Sequence, residues 1–215
     1  MIDLHTHSFL SDGQLLPEEL ARRAEAVGCR VIVIADHVGF SNVEQVVPAV
    51  VLAARKLTEA GGLAVVPGAE LTHCPPGQFA ELAERARALG ARWLVGHGET
   101  LVEPVAPGTN RAAIEAGVDV LAHPGLISEA DAREAAARGV ALELTARKGH
   151  CLTNGYVAMM ARRVRGETVF GSDAHAPEDL CSREFAERVL RGAGLSPEEV
   201  DALWKRMAAR MEGRA

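Results

Sequence analysis

The chain has 215 residues, 48% hydrophobic and 24% charged, enough apolar material for a full core in one large domain or two small ones. Its formal charge is −6 and aromatics are only 4%. With no basic block, a long nucleic-acid partner is not expected. No apolar run approaches the ~18 residues of a membrane span. No signal peptide is visible at the start, so a cytoplasmic location is expected. Cys29, Cys74, Cys151 and Cys181 are widely spread without a CxxC pair, which reads as reduced, mostly buried thiols rather than a disulfide framework.

The chain opens on a strand over residues 2–6. Alternation puts Asp3, His5 and His7 on one face, where two imidazoles at a strand end can reach one metal ion. Asp12 follows in the next loop and adds an oxygen donor. A helix over 17–27 starts on Pro17, whose missing N–H costs nothing at the first helical position. The strand 31–35 delivers Asp36 and His37, and a helix over 43–60 follows. The strand 63–67 leads to Glu70, then a helix over 78–89. The strand 93–96 ends at His97, and a helix over 110–116 leads into the strand 118–122, which ends at His123. A helix over 128–138, capped by Ser128, precedes the strand 140–144. After it comes the basic loop of Arg147, Lys148 and His150, then a helix over 155–165. The strand 168–171 delivers Asp173 and His175. Helices over 177–191 and 197–211 close the chain, the second with Ser196 and Glu199 at capping-box spacing.

Strand–helix alternation with right-handed crossovers gives a parallel sheet, closed into a barrel or open. No GxGxxG follows the first strand, so a dinucleotide fold lacks its fingerprint. There is no internal linker, so residues 1–215 read as one domain. Six of the seven strands deliver His, Asp or Glu at the C-terminal end, the face that carries the site in α/β barrels. Several buried imidazoles and carboxylates crowded together are costly without partners. Metal ions resolve that cost by accepting both nitrogen and oxygen donors, so a multinuclear metal site is expected.

The stretches DLHTHSFLSDG at 3–13, ADH ending at His37, PGAE ending at Glu70, GHGE around His97, AHPG around His123 and GSDAH ending at His175 resemble the PHP (polymerase and histidinol phosphatase) family of metal-dependent phosphoesterases. The resemblance spans residues 3–175. It implies a distorted seven-stranded (β/α)7 TIM-like barrel and three divalent ions, with zinc, iron and manganese all compatible with mixed N/O ligation. On that likeness His5, His7 and Asp173 would hold one ion, and Glu70 would bridge it to a second held by His97 and His123. Asp12, His37 and His175 would take the third. The chemistry implied is hydrolysis of a small phosphate monoester by a water acidified between two ions, with Asp12, Glu70 and His175 as catalytic ligands.

Outside those motifs, His150 is a candidate proton donor to the leaving group. Arg147 and Lys148 can bind phosphate oxygens, and His73 can touch substrate or metal. Glu143 reads as either a structural salt bridge or support for a ligand. Asp3 reads as an orienter of an imidazole or as a barrel-floor carboxylate paired with a base, and Asp36 as a helix cap. Two other chemistries compete: a phosphodiesterase or exonuclease of the same family, and a metal-dependent amidohydrolase. The second would want a strand-end lysine, which is missing here. A metal-binding subunit without activity is the non-enzyme alternative. Oligomeric state and natural substrate stay open.

Overall fold

The computed structural model describes residues 1–214. Its strands are β1 (Ile2–Thr6), β2 (Val31–Ile34), β3 (His37–Val38), β4 (Ala64–Leu71), β5 (Trp93–His97), β6 (Val120–Ala122), β7 (Ala141–Thr145) and β8 (Thr168–Gly171). Its α-helices are α1 (Pro17–Ala26), α2 (Val43–Ala60), α3 (Phe79–Ala88), α4 (Thr109–Glu115), α5 (Glu129–Arg138), α6 (Asn154–Val164), α7 (Arg183–Gly192) and α8 (Pro197–Met211). The strands pair in the order β1-β2-β4-β5-β6-β7-β8, every pair parallel. β3 carries the β2 line onward after Ala35 and Asp36, pairing His37 with Glu70. Seven strand positions therefore form a near-closed, distorted TIM-like barrel in a single α/β domain.

The seam lies between β1 and β8. It is held by one parallel bridge, Thr6 to Ala174. The His7 N–H donates to the Ala174 carbonyl at 2.9 Å, and the Asp173 N–H to the His5 carbonyl at 2.8 Å. Short Val/Ile/Leu-rich strands with both faces covered suit such a sheet. Ile32, Val33, Ile34, Leu94, Val95 and Leu121 are all fully buried. The helices supply the outer layer with one apolar face each: α2 buries Val43, Val46, Val47, Val50 and Ala54, a three-to-four-residue spacing. α8 buries Val200, Leu203, Trp204, Met207 and Met211, and its Met207 Sδ accepts the Phe170 N–H of β8 at 3.4 Å.

Two elements differ from the sequence reading. β4 runs on to Leu71, so Glu70 sits inside a strand rather than after one; pairing with β3 and β5 sustains the extension. The helix expected over 177–191 divides into a short 3-10 turn, Pro177–Asp179, and α7. Asp179 turns back, its Oδ2 accepting the N–H groups of His175 and Ala176 at 3.1 and 3.0 Å. Ser182 then caps a fresh helix by accepting from the Phe185 N–H. No helix among the described residues is long and apolar enough to cross a membrane. Cys29, Cys74 and Cys181 are buried free thiols and Cys151 is half-buried.

Candidate metal centre

The barrel brings all nine motif residues to one end. His5 and His7 come from β1 and the residue after it, His37 from β3, Glu70 from β4 and His97 from β5. His123 follows β6, Asp173 and His175 follow β8, and Asp12 comes from the β1–α1 loop. His5, His7, Glu70, His97, His123 and Asp173 are buried; Asp12, His37 and His175 form the open side. His123 (φ 28°) and Asp173 (φ 55°) both take left-handed backbone. That conformation is uncommon outside glycine and concentrates at functional sites.

The spacings fit cations. Four donors around an ion with bonds of about 2.1 Å stand roughly 3.4 Å apart at tetrahedral angles. His5 Nε2 lies 3.0 Å from His7 Nε2 and 3.5 Å from Glu70 Oε2. His7 Nε2 lies 3.6 Å from Glu70 Oε2 and 3.3 Å from Asp173 Oδ1. His123 Nε2 is 3.7 Å from both Glu70 Oε1 and Asp173 Oδ2. On the open side, Asp12 stands 3.4 Å from His37 Nε2 and 3.3 Å from His175 Nε2. Donor groups of this kind are His5–His7–Glu70, Glu70–His97–His123 and His7–Asp12–His37–His175.

Hydrogen-bond accounting leads to the same place. Glu70 Oε1 and Asp173 Oδ1 are buried with no hydrogen-bond partner, a costly condition for carboxylate oxygens unless an ion meets them. His175 Nδ1 sits 3.0 Å from the Asp173 carbonyl. A carbonyl only accepts, so the ring donates there, and a neutral ring then presents a bare lone pair at Nε2. That lone pair faces an Asp12 oxygen, another acceptor. His5 Nδ1 lies 2.8 Å from Glu143 Oε1, which leaves its Nε2 aimed at His7, Glu70 and Asp173. A cation could satisfy lone pairs that face one another in this way.

With protein groups alone, burial dominates the titration. It pushes His7 down to about 3, helped by His37, and His123 well below the usual imidazole range. Burial also opposes protonation of His5, but Glu143, Glu70 and Asp173 outweigh it and hold His5 well above its ordinary value. Burial raises Glu143.

Three carboxylates behind the site, Glu143, Asp3 and Asp36, have defined partners. Glu143, fully buried, holds His5 through Oε1 and accepts the His123 backbone N–H through Oε2 at 3.2 Å. A carboxylate behind a ligating imidazole fixes its tautomer and orientation. Gly171 makes room for it: a Cβ there would collide with Glu143 Oε1 and stand 2.7 Å from His5 Cβ. Asp3 Oδ1 accepts the Ser172 N–H at 2.9 Å and the His5 N–H at 3.4 Å, so it fixes the backbone beneath the site rather than an imidazole. Asp36 is not a helix cap. It accepts from the Ser8 N–H and from the hydroxyls of Ser8 and Ser11 at 2.6–2.8 Å, bracing the loop that carries Asp12.

Around the rim, His150 is buried, its Nδ1 2.7 Å from Thr100 Oγ1 and its ring stacked on His123 at 4.2 Å. Arg147 pairs with Asp179 at 2.8 Å, and Lys148 is exposed. His73 is exposed, with φ 49°. Sequence reasoning missed two residues. Thr72 Oγ1 lies 2.5 Å from His37 Nδ1. Glu103, in the β5–α4 loop, faces His73, His97 and His150; it lies six residues past His97, where no strand-end pattern marks it. Glu99 in the same loop is spent on α4, its Oε1 accepting the N–H groups of Gly108 and Asn110.

No family model matches the chain. A solved structure of a Xaa-Pro dipeptidase with bound methionine in its active site has a TM-score of 0.67 at 11% identity, covering 99% of this chain and 75% of that one; the likeness is one of fold. A protein named "Probable phosphatase" from Syntrophotalea carbinolica is 28% identical over 93% of this chain and 90% of its own. "Uncharacterized protein MJ1295" of Methanocaldococcus jannaschii is 44% identical over 93% of this chain and 92% of its own. With that identity over nearly the full length of both, this chain belongs to the same family as the Methanocaldococcus protein.

Proposed function

We propose that this protein is a metal-dependent phosphoesterase of the PHP type, acting on a small phosphate monoester. The observation that carries the reading is the meeting of five imidazole-bearing loops and strands with Glu70, Asp173 and Asp12, their donor atoms within 4.8 Å of one another in several overlapping groups. The relative named "Probable phosphatase" supports it.

His5, His7 and Asp173 would hold one ion, His97 and His123 a second, and Asp12, His37 and His175 a third, with Glu70 between the first two. Bound divalent ions supply Lewis-acid charge and acidify water at neutral pH. The protein's own part is positioning. Glu143 and the Asp173 carbonyl orient His5 and His175, and Asp36 fixes the loop of Asp12 through Ser8 and Ser11. Lys148 offers a point charge to phosphate oxygens from the rim. His150, held by Thr100 against His123, would give a proton to the departing oxygen. Glu70 would take the role between two ions that a carbamylated lysine takes in an amidohydrolase.

The test is a panel of aryl phosphate, histidinol phosphate, nucleotides, sugar phosphates, short oligonucleotides and amides, run with zinc, iron and manganese. The expected result is phosphate release that falls together with metal content in His7→Ala and Asp173→Ala. Hydrolysis that persists in metal-stripped variants refutes the reading. Amine or ammonia release would place the protein among amidohydrolases, and metal binding without turnover would leave it a binding protein.

A further inference from the structure

We propose that Glu103 is an additional cation ligand: the ion held by His97 is closed from the outer side by the Glu103 carboxylate, with His73 beside it. This ligand comes from the β5–α4 loop and lies outside the nine motif residues, and the inference rests on the metal-dependent reading above.

Geometry argues for it first. Glu103 Oε2 lies 3.0 Å from His97 Nε2 and 3.1 Å from His73 Nε2, and Oε1 lies 3.4 Å from His150 Nε2. Three imidazoles from three separate parts of the chain thus point their Nε2 atoms at one carboxylate. His73, His97 and Glu103 offer donor atoms all within 4.8 Å of one another. The spacings match those inside the buried cluster and the roughly 3.4 Å expected between ligands on one ion.

Proton accounting argues for it independently. His97 Nδ1 stands 3.1 Å from the Gly98 carbonyl, which can only accept. The ring donates through Nδ1, so a neutral His97 has a bare lone pair at Nε2. Glu103 as a carboxylate has only lone pairs. Two acceptors 3.0 Å apart repel unless a proton or a metal ion lies between them. His97 also belongs to the Glu70–His97–His123 donor group; with Nδ1 donating to the Gly98 carbonyl, Nε2 is the lone pair it has to offer, and one lone pair binds one ion. The ion that Glu70, His97 and His123 hold is therefore the one Glu103 reaches.

The neighbouring chain supports a placed side chain. Glu99 anchors the loop to the start of α4. Thr100 ties it to His150, and Val102 packs where a Cβ on Gly149 would stand, 3.2 Å from its Cγ1. Glu103 follows directly.

The experiment is metal titration of the apo protein by calorimetry, with bound zinc counted by elemental analysis after dialysis, in wild type, Glu103→Gln and Glu103→Asp. Glu103→Gln keeps size and exposure but lacks the anionic oxygens. The expected result is selective weakening of one class of site by 10-fold or more, with bound zinc falling by one equivalent under limiting metal; Glu103→Asp keeps part of the affinity. Zinc anomalous diffraction from the loaded wild type should place an ion about 2.0–2.2 Å from a Glu103 oxygen. Unchanged stoichiometry and affinity in Glu103→Gln, in a wild type that binds zinc, would overturn this proposal alone and leave His97–Glu103 an imidazolium–carboxylate pair. A wild type that binds no divalent metal would overturn the phosphoesterase reading along with it.

Discussion

Replacing Glu143 by Gln isolates what the carboxylate behind His5 contributes. Glu143 accepts two N–H groups, from the His5 ring at 2.8 Å and from the His123 backbone at 3.2 Å. Glutamine has the same shape but one acceptor oxygen and one NH2 donor. If its oxygen stays with His5, the NH2 group opposes the His123 N–H, and a buried donor is left unpaired at a cost of about 1–3 kcal/mol. If the amide turns over, its oxygen serves His123 and the NH2 faces His5. The His5 ring then moves its proton to Nε2, the atom that should hold the ion. Loss of such a supporting partner typically weakens metal binding 10–100-fold, about 1.4–2.7 kcal/mol. The two routes are separable. Denaturant melts of the apo protein read the first, and chelator competition read against wild type the second. A variant equal to wild type in both would refute the assignment of Glu143 as the group that fixes His5.

Gly171→Ala should produce a related effect by steric means. The added methyl pushes against Glu143 and His5, and stability should fall by about 1–3 kcal/mol with metal affinity falling too; thermal melts with and without zinc would show both. Ser196→Ala removes the acceptor for the Glu199 N–H at the start of α8 and should lower stability by about 0.5–2 kcal/mol in urea, with metal content unchanged. The buried thiols predict a dependence on alkaline pH. Burial, with the nearby Asp3 carboxylate, pushes Cys29 and Cys181 up from an ordinary 9 to about 12. Above pH 9 the unfolded chain releases these protons while the folded chain keeps them, so stability falls as pH rises from 9 toward 12. Urea melts at pH 8 and pH 10.5 should differ less in a Cys29→Ala/Cys181→Ala double variant; an identical difference in both proteins would count against this reading.

The barrel was readable from the sequence because two periodicities alternate without ambiguity: short runs such as Val31–Ile34 against amphipathic spans such as Val43–Ala60. The donors were readable for a related reason. A barrel side chain just past a strand has a predictable location, so His97 and His123 announce themselves by position. Residues that work through a third dimension were less visible. Glu103 lies in an irregular loop whose path depends on anchoring by Glu99 and Thr100, which no local pattern encodes. The break at 180–182 is hidden because residues 177–191 have helical character throughout; it comes from Asp179, whose carboxylate accepts the N–H groups of His175 and Ala176 just before it and closes a separate turn. Asp36 was misread as a cap because a cap is the commonest local use of an aspartate after a strand; its real partners, Ser8 and Ser11, are remote in the chain.

The seam between β1 and β8 has a consequence for biosynthesis. The ribosome makes His5 and His7 long before Asp173 and His175, which meet them across that seam. At typical translation speeds the early imidazoles wait roughly 10–30 s for their carboxylate partner. Until then an ion captured there would have only a partial cage, open to exchange with the cell's other metals. On the metal-dependent reading, the choice of ion would therefore fall after β8 has docked, to whichever cation the closed ring retains.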